Sequence, residues 1–197
     1  MKISSVIKYL IAFDFAVLTA CGLIVPIFAI FITDKIEGES VKVAGFASAV
    51  YMASFSVSRL LSAYSVDKRL NEKQGIALSI FGTILISIVC FSYLAARLSW
   101  HVYLLQVLNG IGFALHYSPF MSIFTCYIDK GQESFEWGIE AVATSLGQAV
   151  TAAIGGILAE RYGFDIIFII VGIFVLTGSF IPIMIYNRRS SYISMKI

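Results

Sequence analysis

Six long apolar stretches, separated by short polar connectors, determine what this chain can fold into. Each exceeds the roughly 20 residues that a helix needs to cross the hydrocarbon core of a bilayer. The third and fourth contain no Asp, Glu, Lys or Arg. Because 59% of the residues are hydrophobic, against roughly 45–50% in soluble domains, much of this surface must meet lipid. The sequence predicts an all-α polytopic membrane protein, residues 1–197 forming one domain with spans at 6–32, 43–66, 75–96, 101–128, 137–158 and 164–186.

The distribution of Lys and Arg predicts the orientation of these spans. Loops on the cytoplasmic side of a membrane carry an excess of basic residues. We therefore expect both termini on the cytoplasmic side of the cell membrane. The first stretch is too long for a cleavable signal sequence. The cytoplasmic group is Lys2, Lys8, Lys68, Arg69, Lys73, Lys130, Arg188, Arg189 and Lys196, and the opposite group is Lys35, Lys42, Arg97 and Arg161.

Several classes of protein are disfavoured by what the sequence contains. The two histidines, His101 and His116, both lie in the fourth stretch, and no Gly-x-Ser-x-Gly elbow is present, so an intramembrane serine hydrolase is not expected. The three cysteines are not clustered as metal ligands are. No basic block indicates nucleic-acid binding, and no Gly-x-x-x-x-Gly-Lys-Ser/Thr motif indicates ATP. We expect no enzyme activity, no cofactor and no metal, with the lipid bilayer and a small solute as partners.

Two charged residues lie well inside the first and second stretches. Asp14 and Arg59 are at similar depths from the cytoplasmic side, and an isolated charge there costs several kcal/mol. We expect them to pair, either to lock two helices together or to line a solute pathway. Glu140 lies in the first turn of the fifth stretch. The alternative to a position within the hydrocarbon core is that its side chain lies among the cytoplasmic lipid headgroups.

Polar residues in the fourth and fifth stretches supply further candidates for a pathway or for coupling. His116 can take up a proton near neutral pH, and a neutral, hydrogen-bonded histidine is the alternative. Polar residues at helical spacing from His116 in the fourth stretch are further candidates, and Gln148 in the fifth stretch reaches a similar depth. The candidates besides Asp14 and Arg59 are Gln106, Asn109, His116, Tyr117 and Gln148.

Small residues recur every fourth position in the fifth stretch. Gly147, Thr151 and Gly155, with Gly156 beside them, let helices approach closely. Packing is the favoured interpretation, and a flexible gate is the alternative.

Three segments resemble motifs of the major facilitator superfamily. The connector between the second and third stretches is similar to the family's Gly-x-x-x-Asp-Arg/Lys-x-Gly-Arg/Lys-Arg/Lys signature. It contains Ala63 in place of the first glycine, Asp67 and Lys68 at the acidic and basic positions, and Lys73 one place late. The segment 106–112 is similar to the Arg-x-x-x-Gly-x-Gly motif, with glutamine first. The segment 147–156 is similar to Gly-x-x-x-Gly-Pro-x-x-Gly-Gly, which the family associates with exporting antiporters.

The order of these motifs matches the N-terminal six-helix half of that family, as in a half-size member. The resemblance implies secondary transport of a small solute by alternating access, with proton coupling and export as finer expectations. It also implies a parallel homodimer of half-transporters, in which a second copy supplies the other wall of the pathway. A different partner chain or a longer parent chain is the alternative to a second copy. A six-helix scaffold or channel subunit without carrier activity is the alternative function.

Overall fold

The computed structural model describes residues 4–37 and 40–183, and the ordered elements of that part are helices. Five of them are long and apolar enough to cross a membrane: Ser5–Gly22, Val41–Arg69, Glu72–Ala95, Glu133–Tyr162 and Phe164–Ile183. The predicted all-α polytopic membrane fold is therefore confirmed. The helices are α1 (Ser5–Gly22), α2 (Phe28–Lys35), α3 (Val41–Arg69), α4 (Glu72–Ser92), α5 (Ser99–Tyr127), α6 (Glu133–Tyr162) and α7 (Phe164–Gly178), with a 3-10 turn at Tyr93–Ala95.

The first apolar stretch, 6–32, is not one continuous helix. It divides into α1 and α2 around residues 23–27, which form turns. Pro26 lies in this break and has no N–H with which to continue the hydrogen-bond ladder of a helix. The next amide, that of Ile27, donates to the carbonyl of Ile24 at 3.0 Å and so closes a turn between residues three apart. The hydrophobic pattern alone did not show this interruption.

The fourth stretch forms α5, which is not one of those five helices although it lacks Asp, Glu, Lys and Arg. Its 29 residues extend about 43 Å at roughly 1.5 Å per residue, which is long enough to span. Gln106, Asn109 and His116 lower its mean hydropathy. Gln106 and His116 are buried against protein, so these polar side chains of α5 are kept away from lipid.

Local capping explains where two of the spans begin. The Ser40 side chain accepts a hydrogen bond from the Val43 amide at 3.3 Å at the start of α3. Asn71 and Gln74 form a reciprocal capping box at the start of α4, with both bonds at 3.0 Å. Such caps satisfy amides that the first helical turn leaves without partners.

The helices pack in two groups that meet at the centre of the bundle. α5 packs against α3 and α4, while α1 packs against α6 and α7, and α4 also contacts α7. Gly82 lets α4 approach α5 closely, because a Cβ there would lie 2.6 Å from the Gly112 carbonyl oxygen and the His116 amide nitrogen. Helices α3 and α6 remain the most exposed, with 11% and 17% of their spanning windows buried.

Candidate functional site

A buried acid–histidine pair joins α1 to α5. Asp14 Oδ1 lies 2.8 Å from His116 Nε2, and both side chains are fully buried. Asp14 reaches this position because it follows the buried face of α1, between Phe13 and Val17. The predicted Asp14–Arg59 pair is wrong, since Asp14 takes its partner from α5 and not from α3.

Two hydroxyl groups of α4 orient the histidine ring. Ser79 Oγ and Thr83 Oγ1 lie 3.4 Å and 3.3 Å from His116 Nδ1. The Ser79 hydroxyl donates to the His116 carbonyl at 2.9 Å, and the Thr83 hydroxyl donates to the Ser79 carbonyl at 2.9 Å. Because those hydrogens are already used, both oxygens present lone pairs to Nδ1, which indicates hydrogen on Nδ1.

This tautomer determines the charge of the pair. With Nδ1 protonated, the short Nε2–Oδ1 contact needs one more proton, held either by the imidazole or by the carboxyl group. Both arrangements have the same number of protons and no net charge. A neutral pair is the form that full burial permits at lowest cost.

Glu140 of α6 lies near this pair, and its carboxyl group interacts electrostatically with that of Asp14. Glu140 is half-buried, and Thr144 one turn further on donates to its backbone carbonyl at 3.0 Å. The sequence signal that could have suggested this proximity is their similar depth in the membrane. Asp14 and Glu140 lie roughly 14 Å and 11 Å from the starts of their helices at the basic end.

Arg59 lies over aromatic rings. Its guanidinium carbon is 4.6 Å from the centroid of the Tyr117 ring and 5.5 Å from that of Phe55. Arg59, Tyr117 and Glu140, on α3, α5 and α6, are called the polar face below.

A separate cavity of about 300 Å³ lies between the α1–α2 break and helices α3, α4 and α5. Gln106 and Asn109 line this cavity, so the structure does not place them in the cluster around His116. The other polar lining side chains are Ser48, Tyr51 and Tyr93, and none of the lining residues within 4–37 and 40–183 is charged. This volume is at the lower end of the range for small-molecule sites, roughly 300–1,000 Å³.

Most small residues of the fifth stretch face α1. A Cβ added at Gly147 would meet Thr19, one at Gly155 would meet Leu23, and one at Gly156 would meet nothing within 4 Å. The Thr151 hydroxyl donates to the Thr19 carbonyl at 2.7 Å. Gly156 therefore takes no part in this helix contact.

The remaining candidate residues lie apart from the buried cluster. The Gln148 amide nitrogen donates to the Thr144 carbonyl at 3.4 Å within α6. Ala63 and Asp67 line a shallow groove between α3 and α5. Lys68 and Lys73 are exposed at the same end of the bundle. The basic end of the bundle is defined here by Lys8, Lys68, Arg69, Lys73 and Lys130.

The fold and the cluster define a polytopic α-helical membrane protein of the transport class, with ionisable groups buried between its spans. The family model described as Major Facilitator Superfamily matches residues 10–195. The chain therefore belongs to the major facilitator superfamily, and the resemblance seen in its motifs is confirmed. Monocarboxylate transporter 12 of Rattus norvegicus is 35% identical over 77 residues, which cover 39% of this chain and 16% of that relative.

Proposed function

We propose that this chain carries a small solute across the membrane as a proton-coupled secondary transporter that works by alternating access. The observation that supports this most is the Asp14–His116 pair, sealed between α1 and α5. The resemblance of segment 147–156 to an antiporter motif favours export. The proposal is a transporter without enzyme activity.

The pair suits proton coupling because of its chemistry and its position. Both groups exchange protons, whereas arginine keeps its proton at physiological pH. The pair also connects a helix packed on α6 and α7 to one packed on α3 and α4. A change in its protonation therefore acts at the junction of the two helix groups, where movement would open or close a pathway.

We also propose that the polar face meets a second copy of this chain around a two-fold axis normal to the membrane. Arg59 is exposed in this structure, and a guanidinium group at that depth is costly against lipid. A second six-helix unit with water between the two would satisfy it. In this arrangement both termini lie on the cytoplasmic side, at the basic end.

Proteoliposomes test the proton coupling. A thermal-shift panel of carboxylic acids, amino acids, sugars and amphipathic amines first identifies a solute that stabilises the protein. Wild type should then accumulate or expel that solute under an imposed pH gradient. Asp14→Asn and His116→Gln should lose gradient-driven accumulation while retaining solute exchange.

The same assay separates the alternatives. Accumulation that is unchanged in both variants would remove proton coupling through this pair. Flux that neither saturates nor responds to a counter-gradient would indicate a channel subunit, and absence of flux would indicate a scaffold. The matched control is His101→Gln, since His101 lies at the other end of α5.

A further inference from the structure

Two residues that line the 300 Å³ cavity each carry a buried polar atom with nothing to bond. Gln106 and Tyr93 both line the cavity and are 6% and 4% exposed. Within the described part of the chain, neither Gln106 Oε1 nor the Tyr93 hydroxyl has a hydrogen-bond partner. A buried donor or acceptor without a partner is costly, and native proteins contain few of them. A ligand in the cavity would supply the missing partners.

We propose that this cavity binds an uncharged aromatic compound that carries a primary carboxamide group. That such a compound is also the transported solute rests on the proposed transport function, whereas its binding does not.

The charge of the ligand follows from the lining of the cavity. None of the lining residues within 4–37 and 40–183 is charged. A carboxylate or an ammonium group that is buried without a counter-charge costs far more than a neutral polar group. The acid–histidine pair does not supply that charge, because Gln106 precedes His116 by roughly 15 Å along the axis of α5. The cavity therefore selects a neutral ligand.

The aromatic part of the ligand follows from two pairs of rings in the cavity wall. Phe28 and Tyr93 pack edge to face with ring centroids 5.5 Å apart, and Tyr51 and Phe113 do so at 6.1 Å. All four residues line the cavity. Aromatic rings attract one another through the opposite partial charges of their faces and edges, so these walls favour a further ring between them.

A carboxamide matches the two polar atoms that have no partner. Its N–H₂ group donates to Gln106 Oε1, and its carbonyl oxygen accepts from the Tyr93 hydroxyl. Asn109, a half-buried lining residue, offers a second amide for the remaining N–H. A ketone of the same shape has no N–H for Gln106, and a carboxylate has neither the N–H nor the neutral charge.

Three small probes of nearly equal size test this selectivity. Binding of benzamide, acetophenone and benzoate to the protein in lipid nanodiscs is measured by calorimetry at neutral pH, without a pH gradient. Benzamide should bind saturably. Acetophenone, which lacks the N–H₂ group, should bind roughly tenfold more weakly, and benzoate should not bind detectably. Benzamide that binds no more tightly than either of the other two would overturn the proposal.

A substitution of Gln106 locates the donor contact. Gln106→Met removes the acceptor and keeps a side chain of similar length, so the affinity for benzamide should fall roughly tenfold while that for acetophenone stays the same. The matched control is Gln132→Met. Gln132 Oε1 is also buried without a partner, but Gln132 lies at the start of α6 and does not line the cavity. This control should bind benzamide as wild type does.

Tyr93→Phe keeps the test decisive if Gln106→Met folds poorly, because it removes only a hydroxyl group. Benzamide and acetophenone should both bind it more weakly, since both have the carbonyl oxygen. Unchanged benzamide affinity in Tyr93→Phe and Gln106→Met would overturn the proposal. Saturable benzamide binding without flux of any solute contradicts the proposed function and leaves this inference intact, whereas gradient-driven flux of another solute without benzamide binding overturns this inference alone.

Discussion

The charged side chain of Arg59 has no acid within ion-pair distance in the part of the chain that the structure describes, and aromatic rings stabilise it instead. Its guanidinium group lies over the Tyr117 ring, and the Ser118 hydroxyl donates to its backbone carbonyl at 3.4 Å. A desolvated cation–π contact contributes about 2 kcal/mol, and an exposed one about 0.5–1 kcal/mol.

Replacement of Tyr117 with Leu should therefore destabilise the protein through Arg59. A double-mutant cycle with Arg59→Met should give a coupling free energy of about 1–2 kcal/mol in unfolding experiments in lipid or detergent. The matched control pair is Arg69 with Tyr64, at 5.9 Å and at the exposed end of α3. It should couple more weakly, and equal coupling in both pairs would contradict the argument.

The partner of Asp14 could not be predicted from the sequence, although Asp14 and His116 were both chosen as candidates. His116 and Arg59 lie at comparable depths, roughly 17 Å and 15 Å from the ends of α5 and α3. The depth of a residue in the membrane can be counted from the sequence. Whether His116 or Arg59 faces α1 depends on how α5 and α3 are rotated about their axes, which the sequence does not give. The close packing of α4 on α5 at Gly82 contributes to that rotation.

At the scale of elements, the α4–α5 contact shows how a glycine, Gly82, lets two helices approach closely enough to position the side chain of His116. Gly82 of α4 lies against the backbone of α5 at Gly112 and His116. The two hydroxyl groups that orient the histidine ring, from Ser79 and Thr83, are also on α4. The distance between the helices therefore determines the geometry of the ring.

Gly82→Ala should separate α4 from α5 and destabilise the protein. Insertion of a methyl group into a packed interior costs roughly 1–3 kcal/mol, and the gradient-driven accumulation of solute should fall with it. The control is Gly156→Ala, where a Cβ would meet nothing within 4 Å and where stability should stay within about 0.5 kcal/mol. Thermal unfolding in detergent measures both. Equal melting temperatures for the two variants would contradict close packing at Gly82.

The elements themselves were predictable where hydrophobicity and polar connectors coincide. Stretches two to six correspond to α3, α4, α5, α6 and α7. The first stretch was predicted as one helix because Val25, Pro26 and Ile27 are as apolar as a spanning helix requires. Hydrophobicity reports contact with lipid, whereas the break depends on the missing N–H of Pro26, which a hydrophobic pattern does not record.

At the scale of the whole molecule, the exposed helices α3 and α6 flank the polar face. A two-fold axis in front of this face would bring α3 of one copy against α6 of the other. Leu60 and Val142 are 73% and 58% exposed and lie at similar depths, roughly 14 Å from the basic ends of their helices.

Cysteines at positions 60 and 142 together should therefore cross-link two copies in native lipid. The exposed Cys126 is first replaced with serine to remove background. Each single variant should remain uncross-linked, because the axis keeps like helices apart. As a control, Phe81→Cys with Val142→Cys places one cysteine on α4, at a similar depth but away from the polar face, and should give no product. A monomer in native lipid with full transport activity would refute the dimer.

The interruption between α1 and α2 has a mechanical consequence for the first crossing. Ladder hydrogen bonds transmit bending along a continuous helix, and around residues 23–27 they are replaced by turns. α2 therefore takes its own angle to the membrane, held by Phe31 and Ile32 in the buried core, while α1 is held by Asp14 and by its contacts with α6. Because Ile24, Val25 and Phe28 line the 300 Å³ cavity, the angle of α2 shapes one wall of that cavity. The first span thus has two arms of separate function in the packing, one anchored at the acid–histidine pair and one forming a wall of the cavity.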